Sequence, residues 1–151
     1  MVANPISLIL NRLYAHSHLQ LLVESMLLAL AFPLVRFFVR FVTDTVHLNV
    51  SVDRLLYVFC IAPWFETLIC FVPIIEILRK IKVESWVVVL IASIVFAVPH
   101  TSFILGLYLG VVFSSVYVIA RRFSFLHAFV YSTAVHFVYN LLIIGLYSVA
   151  S

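Results

Sequence analysis

Apolar residues in this chain do not alternate with polar ones; they run in long blocks broken by short polar stretches. Blocks at 19–42, 55–78, Phe103–Ala120 and 124–150 are each long enough to cross a bilayer as a helix. A further block at 85–98 is apolar but short for a full crossing, and it stops at Pro99-His100-Thr101-Ser102. Before the first block, Asn4-Pro5 reads as a cap and first-turn proline. Ile6, Ile9, Leu10, Leu13 and Tyr14 then share one face, which predicts a short helix lying in the membrane interface. Pro33 is placed to kink the first long helix, and residues 43–54 form the longest polar connection.

Composition turns this pattern into a class. Of 151 residues, 66% are hydrophobic and only 10% charged, with a mean hydropathy of +1.25, too little charge to cover a soluble domain of this size. Unbroken apolar runs exclude the alternating strands of a barrel, which leaves helices to satisfy the backbone in lipid. The expected fold is therefore all-α, a polytopic helical membrane protein of one domain spanning 1–151. It has about five membrane-embedded helices plus the N-terminal interfacial one. Three Gly and five Pro leave no linker, and no signal peptide is legible in the first 18 residues, which carry only the short run Ile6 to Leu10. The net charge is +3, and the nine Lys and Arg sit mostly at helix ends, which suits a lipid bilayer and its headgroups and not nucleic acid. Cys60 and Cys70 lie roughly 15 Å apart along one helix, too far to pair, and read as apolar filler.

Against this background the polar residues inside the blocks carry the information. Glu66 stands near the middle of an apolar run, where a carboxylate is costly unless neutralised, paired or facing a wet cavity. His100 and the pair His136 and Asn140 are its natural partners. Antiparallel crossings put Glu66, His100 and His136 at depths of roughly 17, 8 and 12 Å from the side holding Arg54. Such a group can activate water, with Glu66 as general base. His136 and Asn140, four apart on one helix face, can donate to an oxyanion or ligate a metal. The bland readings stand beside these: a neutral Glu66 bonded across a helix interface, His100 closing a broken helix, and His136 and Asn140 bonding between helices. A proton- or ion-coupled transport relay is a third class, though no internal repeat supports it. Glu24 and Arg36 suit a mutual structural role, and Glu76 an ion pair with Arg79 or Lys80. His127 is placed to face headgroups, and His16, His18 and His47 to be solvated. Gly106, Gly110 and Ser114 form a small-residue stripe that lets a neighbouring helix approach.

Three motifs in order resemble those of the CPBP intramembrane proteases, the family of CAAX prenyl endopeptidases and bacteriocin-processing or immunity relatives. Residues Ala62-Pro63-Trp64-Phe65-Glu66-Thr67 resemble its glutamate motif, Phe96 to His100 its Phe-x-x-x-His, and His136 to Asn140 its His-x-x-x-Asn. Gly106, Gly110, Tyr117 and Arg121-Arg122 are also similar to its pattern, so the likeness covers about 61–145. Phe123 to His127 repeats the second motif too close to His136 to serve. The resemblance implies an endopeptidase acting on a membrane-associated peptide or protein in a bacterial cell membrane. Glu66 and His100 would activate water, and His136 and Asn140 would stabilise the oxyanion. The cofactor implied is either none or one divalent metal such as zinc, held by Glu66, His100 and His136. Two positions depart from the pattern: Thr67 replaces a second Glu and Phe71 an Arg, removing a charge pair. A non-catalytic relative acting by binding, in bacteriocin immunity or as a regulatory membrane partner, is the alternative. Loop charges favour a cytoplasmic side at Arg79, Lys80, Lys82, Arg121 and Arg122, away from the depth assigned to the site, so orientation stays open.

Overall fold

The computed structural model describes residues 17–43, 57 and 61–149. The expected interfacial helix and nearly all of the polar connection at 43–54 lie outside these residues, as do Cys60, His16, His47 and the Arg36 side chain. Among the described residues every regular element is helical. In chain order they are α1 (His18–Thr43), α2 (Ala62–Glu66), a π-helical turn (Thr67–Phe71), α3 (Val72–Lys80), α4 (Ser85–Ala97), α5 (Phe103–Ala120) and α6 (Phe125–Val149). α5 and the 125–143 part of α6 are long and apolar enough to cross a membrane, and α4 is a shorter apolar helix. α5 is the central one, 61% buried against 28% for α6.

α2, the π turn and α3 follow one another without a break, and two prolines shape that rod. Pro63 sits in the first turn of α2, where its missing N–H is no loss. Pro73 lies at the start of α3 and cannot donate to the Ile69 carbonyl, against which its ring would clash. The wide turn just before it accommodates this: the Val72 N–H reaches back five residues to the Thr67 carbonyl. The single extra residue of that turn sets which way Glu66 faces relative to everything after Val72.

α3 ends in a Schellman motif without its usual glycine. The Val83 N–H bonds the Leu78 carbonyl and the Lys82 N–H the Arg79 carbonyl, both at 3.0 Å, with Lys82 at φ 59°. A side chain in that left-handed conformation costs about 1 kcal/mol or more. Lys82→Gly is therefore expected to stabilise the fold by about 1 kcal/mol, read as a higher unfolding temperature of the purified protein.

The small-residue stripe on α5 meets α4 at close range. A Cβ on Gly110 would stand 2.8 Å from the Ser93 Cα, and one on Gly106 would stand 3.0 Å from the Ala97 Cα and 3.1 Å from the His100 Cβ. Ser114 and Ser93 return their hydroxyls to their own helices, at 2.6 Å to the Gly110 and Val89 carbonyls, so no polar group is stranded in the seam. Gly110→Ala would force backbone apart and is expected to cost roughly 1–3 kcal/mol, measurable in the same unfolding assay.

The C-termini of α3 and α5 and the N-termini of α1 and α6 meet at one end, which carries most of the described basic residues. Glu76 accepts from Arg121 Nε at 2.8 Å and Nη2 at 3.3 Å, and from the Tyr117 hydroxyl at 3.2 Å. Its expected neighbour Arg79 is only a distant partner, at 3.9 Å. Arg121 is the better match because it delivers two parallel N–H groups from another helix. The pair holds the Arg121 guanidinium above its usual range, mainly through the hydrogen bond that it donates to Glu76. At the same end Ser124 caps α6, its Oγ accepting from the His127 N–H at 3.1 Å. Tyr108 on α5 donates to the Leu28 carbonyl of α1.

Candidate active site

Glu66 closes α2 and points at two histidines, one in the connection after α4 and one on α6. Its Oε2 lies 3.9 Å from His100 Nε2 and 3.6 Å from His136 Nε2. These separations exceed a direct hydrogen bond and leave the three atoms within reach of one shared water. Oε2 itself is buried and has no hydrogen-bond partner. The layer estimated from helix depths is thus a physical cluster.

Each histidine is held from behind. α4 gives way at Pro99, and the backbone turns so that the His100 N–H bonds the Ala97 carbonyl at 3.1 Å. The same turn brings His100 Nδ1 to 2.6 Å from the Phe96 carbonyl. A carbonyl only accepts, so Nδ1 carries the proton and the lone pair of the neutral ring is on Nε2, toward Glu66. His136 is 4% exposed and stacks on Phe113 with centroids 4.4 Å apart, with Phe96 edge-on at 5.7 Å. Its Nδ1 is buried with no hydrogen-bond partner. Phe96 also lies against His100 at 4.4 Å and stacks on Phe71 at 5.1 Å.

Asn140 lies one turn along α6 from His136. With Phe96, His100, Ser102, His136 and Tyr139 it lines a cavity of about 150 Å³. A second hollow, of about 380 Å³ and almost wholly apolar, runs between Pro63, Trp64, Phe129, Thr133 and Phe137. Pro63 is one turn from Glu66 and Thr133 one turn from His136, so this groove passes beside the cluster. All four candidate residues thus belong to one region: Glu66 comes within 3.9 Å of His100 and 3.6 Å of His136, and Asn140 shares the cavity wall with both histidines.

The two departures from the family pattern are both fully buried. Phe71 fills the aromatic stack beneath Phe96, a place for a ring and not a guanidinium. Thr67 is enclosed with its hydroxyl unpartnered. Phe113, the platform under His136, was not singled out from sequence; its only signal is its place one turn beyond Gly110 on the buried face of α5.

The three-residue metal set does not hold. Among the described residues no group of three His, Cys, Asp or Glu is arranged to hold a metal ion. Donors sharing a tetrahedral zinc at about 2.0–2.1 Å stand closer to one another than Glu66 does to either ring. What the arrangement supplies by itself is a half-buried carboxylate as proton acceptor, two imidazoles around the same point, and an amide one turn away.

No protein-family model matches this sequence, and no curated protein or solved structure matches it.

Proposed function

We propose that the chain is an integral membrane protein of about five membrane-embedded helices that hydrolyses a peptide bond in a membrane-associated substrate, in the manner of the CPBP proteases its motifs resemble. The observation that carries this reading is the approach of one unbonded Glu66 oxygen to two imidazole nitrogens delivered by separate elements. A carboxylate oxygen buried without a partner carries a cost in stability, and such costs concentrate at functional sites. In this reading Glu66 takes a proton from water as the water oxygen bonds the peptide carbonyl carbon, and returns that proton to the amide nitrogen as the C–N bond breaks. The Nε2 lone pair of His100 accepts the second water hydrogen and aims the oxygen. His136 and Asn140 face the carbonyl oxygen as charge develops on it. The apolar groove beside Trp64 gives the substrate a lateral approach.

The second reading is a non-catalytic relative that binds a membrane peptide or protein. The burial of Thr67 and Phe71, with no charge at either, favours it, since nothing charged steadies Glu66 from its own helix. To separate the two, the purified protein and its His100→Ala variant are reconstituted in vesicles with a library of synthetic peptides, each an apolar segment with a polar tail. The enzyme reading expects new peptide termini with the native chain and at least about a hundredfold fewer with the variant. Intact peptides retained equally by both proteins would favour the binding reading.

A further inference from the structure

Buried polar atoms without a hydrogen-bond partner are rare in folded chains, and each calls for an explanation. Four of those among the described residues, Glu66 Oε2, Thr67 Oγ1, Thr133 Oγ1 and His136 Nδ1, fall where α2 and the π turn pack against α6. The proposed hydrolysis uses the first and none of the other three. We infer that Thr133 is a positioning residue for His136: its hydroxyl donates to His136 Nδ1, directly or through one water, and keeps the proton of the neutral ring on Nε2. This deepens the hydrolysis proposed above and takes its catalytic meaning from it, though the hydrogen bond itself stands without it.

Helix geometry selects Thr133. A helical side chain leans over the turn N-terminal to its own Cα, so the His136 ring lies over residues 132 and 133. Nδ1 is the ring nitrogen nearer the backbone. Positions three apart have Cβ atoms about 5–6 Å apart, a span that a ring and a hydroxyl close, with or without one bridging water. Ser132 is already engaged, its hydroxyl donating to the Phe113 carbonyl of α5 at 3.1 Å. Ser25, Ser93 and Ser114 return their hydroxyls to the carbonyl four residues back, each at 2.6 Å. Thr133 does neither, and its hydroxyl is buried. Thr67 is enclosed as well, but it belongs to the opposite wall, next to Glu66 in the chain. Phe113 and Phe96 hold the plane of the His136 ring without choosing which nitrogen carries the proton.

The neighbouring histidine shows what the choice decides. His100 presents a lone pair at Nε2, because its Nδ1–H is bound to the Phe96 carbonyl. With Thr133 donating to Nδ1, His136 presents an N–H toward the same carboxylate oxygen. Glu66 then faces one acceptor and one donor, the first suited to a water hydrogen and the second to an oxyanion. With the proton on Nδ1 instead, both rings would offer lone pairs, and neither could donate to the developing charge.

The test is nitrogen-15 NMR of the purified full chain labelled at histidine, with the His136 signals identified by their loss in His136→Gln. The expected result is a protonated Nε2 and an unprotonated Nδ1 whose resonance is displaced to lower frequency by an accepted hydrogen bond. In Thr133→Val, which keeps the side-chain shape, the Nδ1 signal moves to the frequency of a free lone pair or becomes an N–H. Thr133→Ser restores it, and Thr67→Val leaves it in place. A protonated Nδ1 in the native chain, an Nδ1 signal indifferent to Thr133→Val, or one that responds only to Thr67→Val overturns the inference. Cleavage of the peptide library reads the proposed function separately. There Thr133→Val is expected to lower kcat about tenfold, the contribution of one neutral hydrogen bond, with KM unchanged. A native chain that shows the Nδ1 bond and cuts no peptide keeps Thr133 as the partner of His136 and loses hydrolysis; one that cuts peptides without that bond loses this inference alone.

Discussion

Replacing Glu66 by Gln is expected to lower cleavage by about 10²–10⁴-fold, the usual contribution of a general base, while the protein stays as stable as before or becomes more stable. The combination follows from the surroundings of one atom. Glu66 Oε2 is buried, lies 3.6 and 3.9 Å from two imidazoles and makes no hydrogen bond. A neutral amide of the same shape removes the cost of holding charge there and loses no established bond. Were Glu66 instead an anchor between helices, the same substitution would cost roughly 1–3 kcal/mol and leave cleavage without a specific defect. Cleavage rate and unfolding temperature measured on one preparation separate the two.

His136→Ala is expected to fail on both counts. The ring is 4% exposed and is packed by Phe113 and Phe96, so its loss opens a cavity costing roughly 2–4 kcal/mol. If the imidazole also meets the developing oxyanion, the rate falls by about 10²–10³-fold beyond any loss of folded protein. His136→Gln refills most of the volume without an imidazole. It should recover much of the unfolding temperature and little of the rate, whereas a purely structural His136 would recover both together.

The helices were legible because nothing interrupts their apolar runs except capping and charged residues. α5 begins and ends where Ser102 and Arg121 bracket the block at Phe103–Ala120, and α1 falls within a residue of 19–42 at each end. The cluster was legible for a related reason: ionisable side chains are so rare in these blocks that Glu66, His100 and His136 stand out, and antiparallel crossings fix their depths. Contacts made across large separations in sequence were hidden. Glu76 finds Arg121 forty-five positions on, where local spacing pointed to Arg79. Phe71, read as the loss of an Arg, is a packed ring under Phe96. The π turn had a local cause in Pro73, yet a proline alone does not say whether a helix kinks, stops or widens. Lys82 carries the left-handed cap of α3 with no glycine to announce it.

Hydrolysis leaves a mark that binding and transport do not: one oxygen of each new carboxyl terminus comes from solvent water. The most direct measurement is mass spectrometry of the peptide library incubated with the reconstituted protein in oxygen-18 water. Labelled carboxyl termini should form with the native chain and fall to background with Glu66→Gln. Peptides left unlabelled and intact by the native chain, or labelled equally by the variant, would contradict the assignment of Glu66 and its two imidazoles as a water-activating centre.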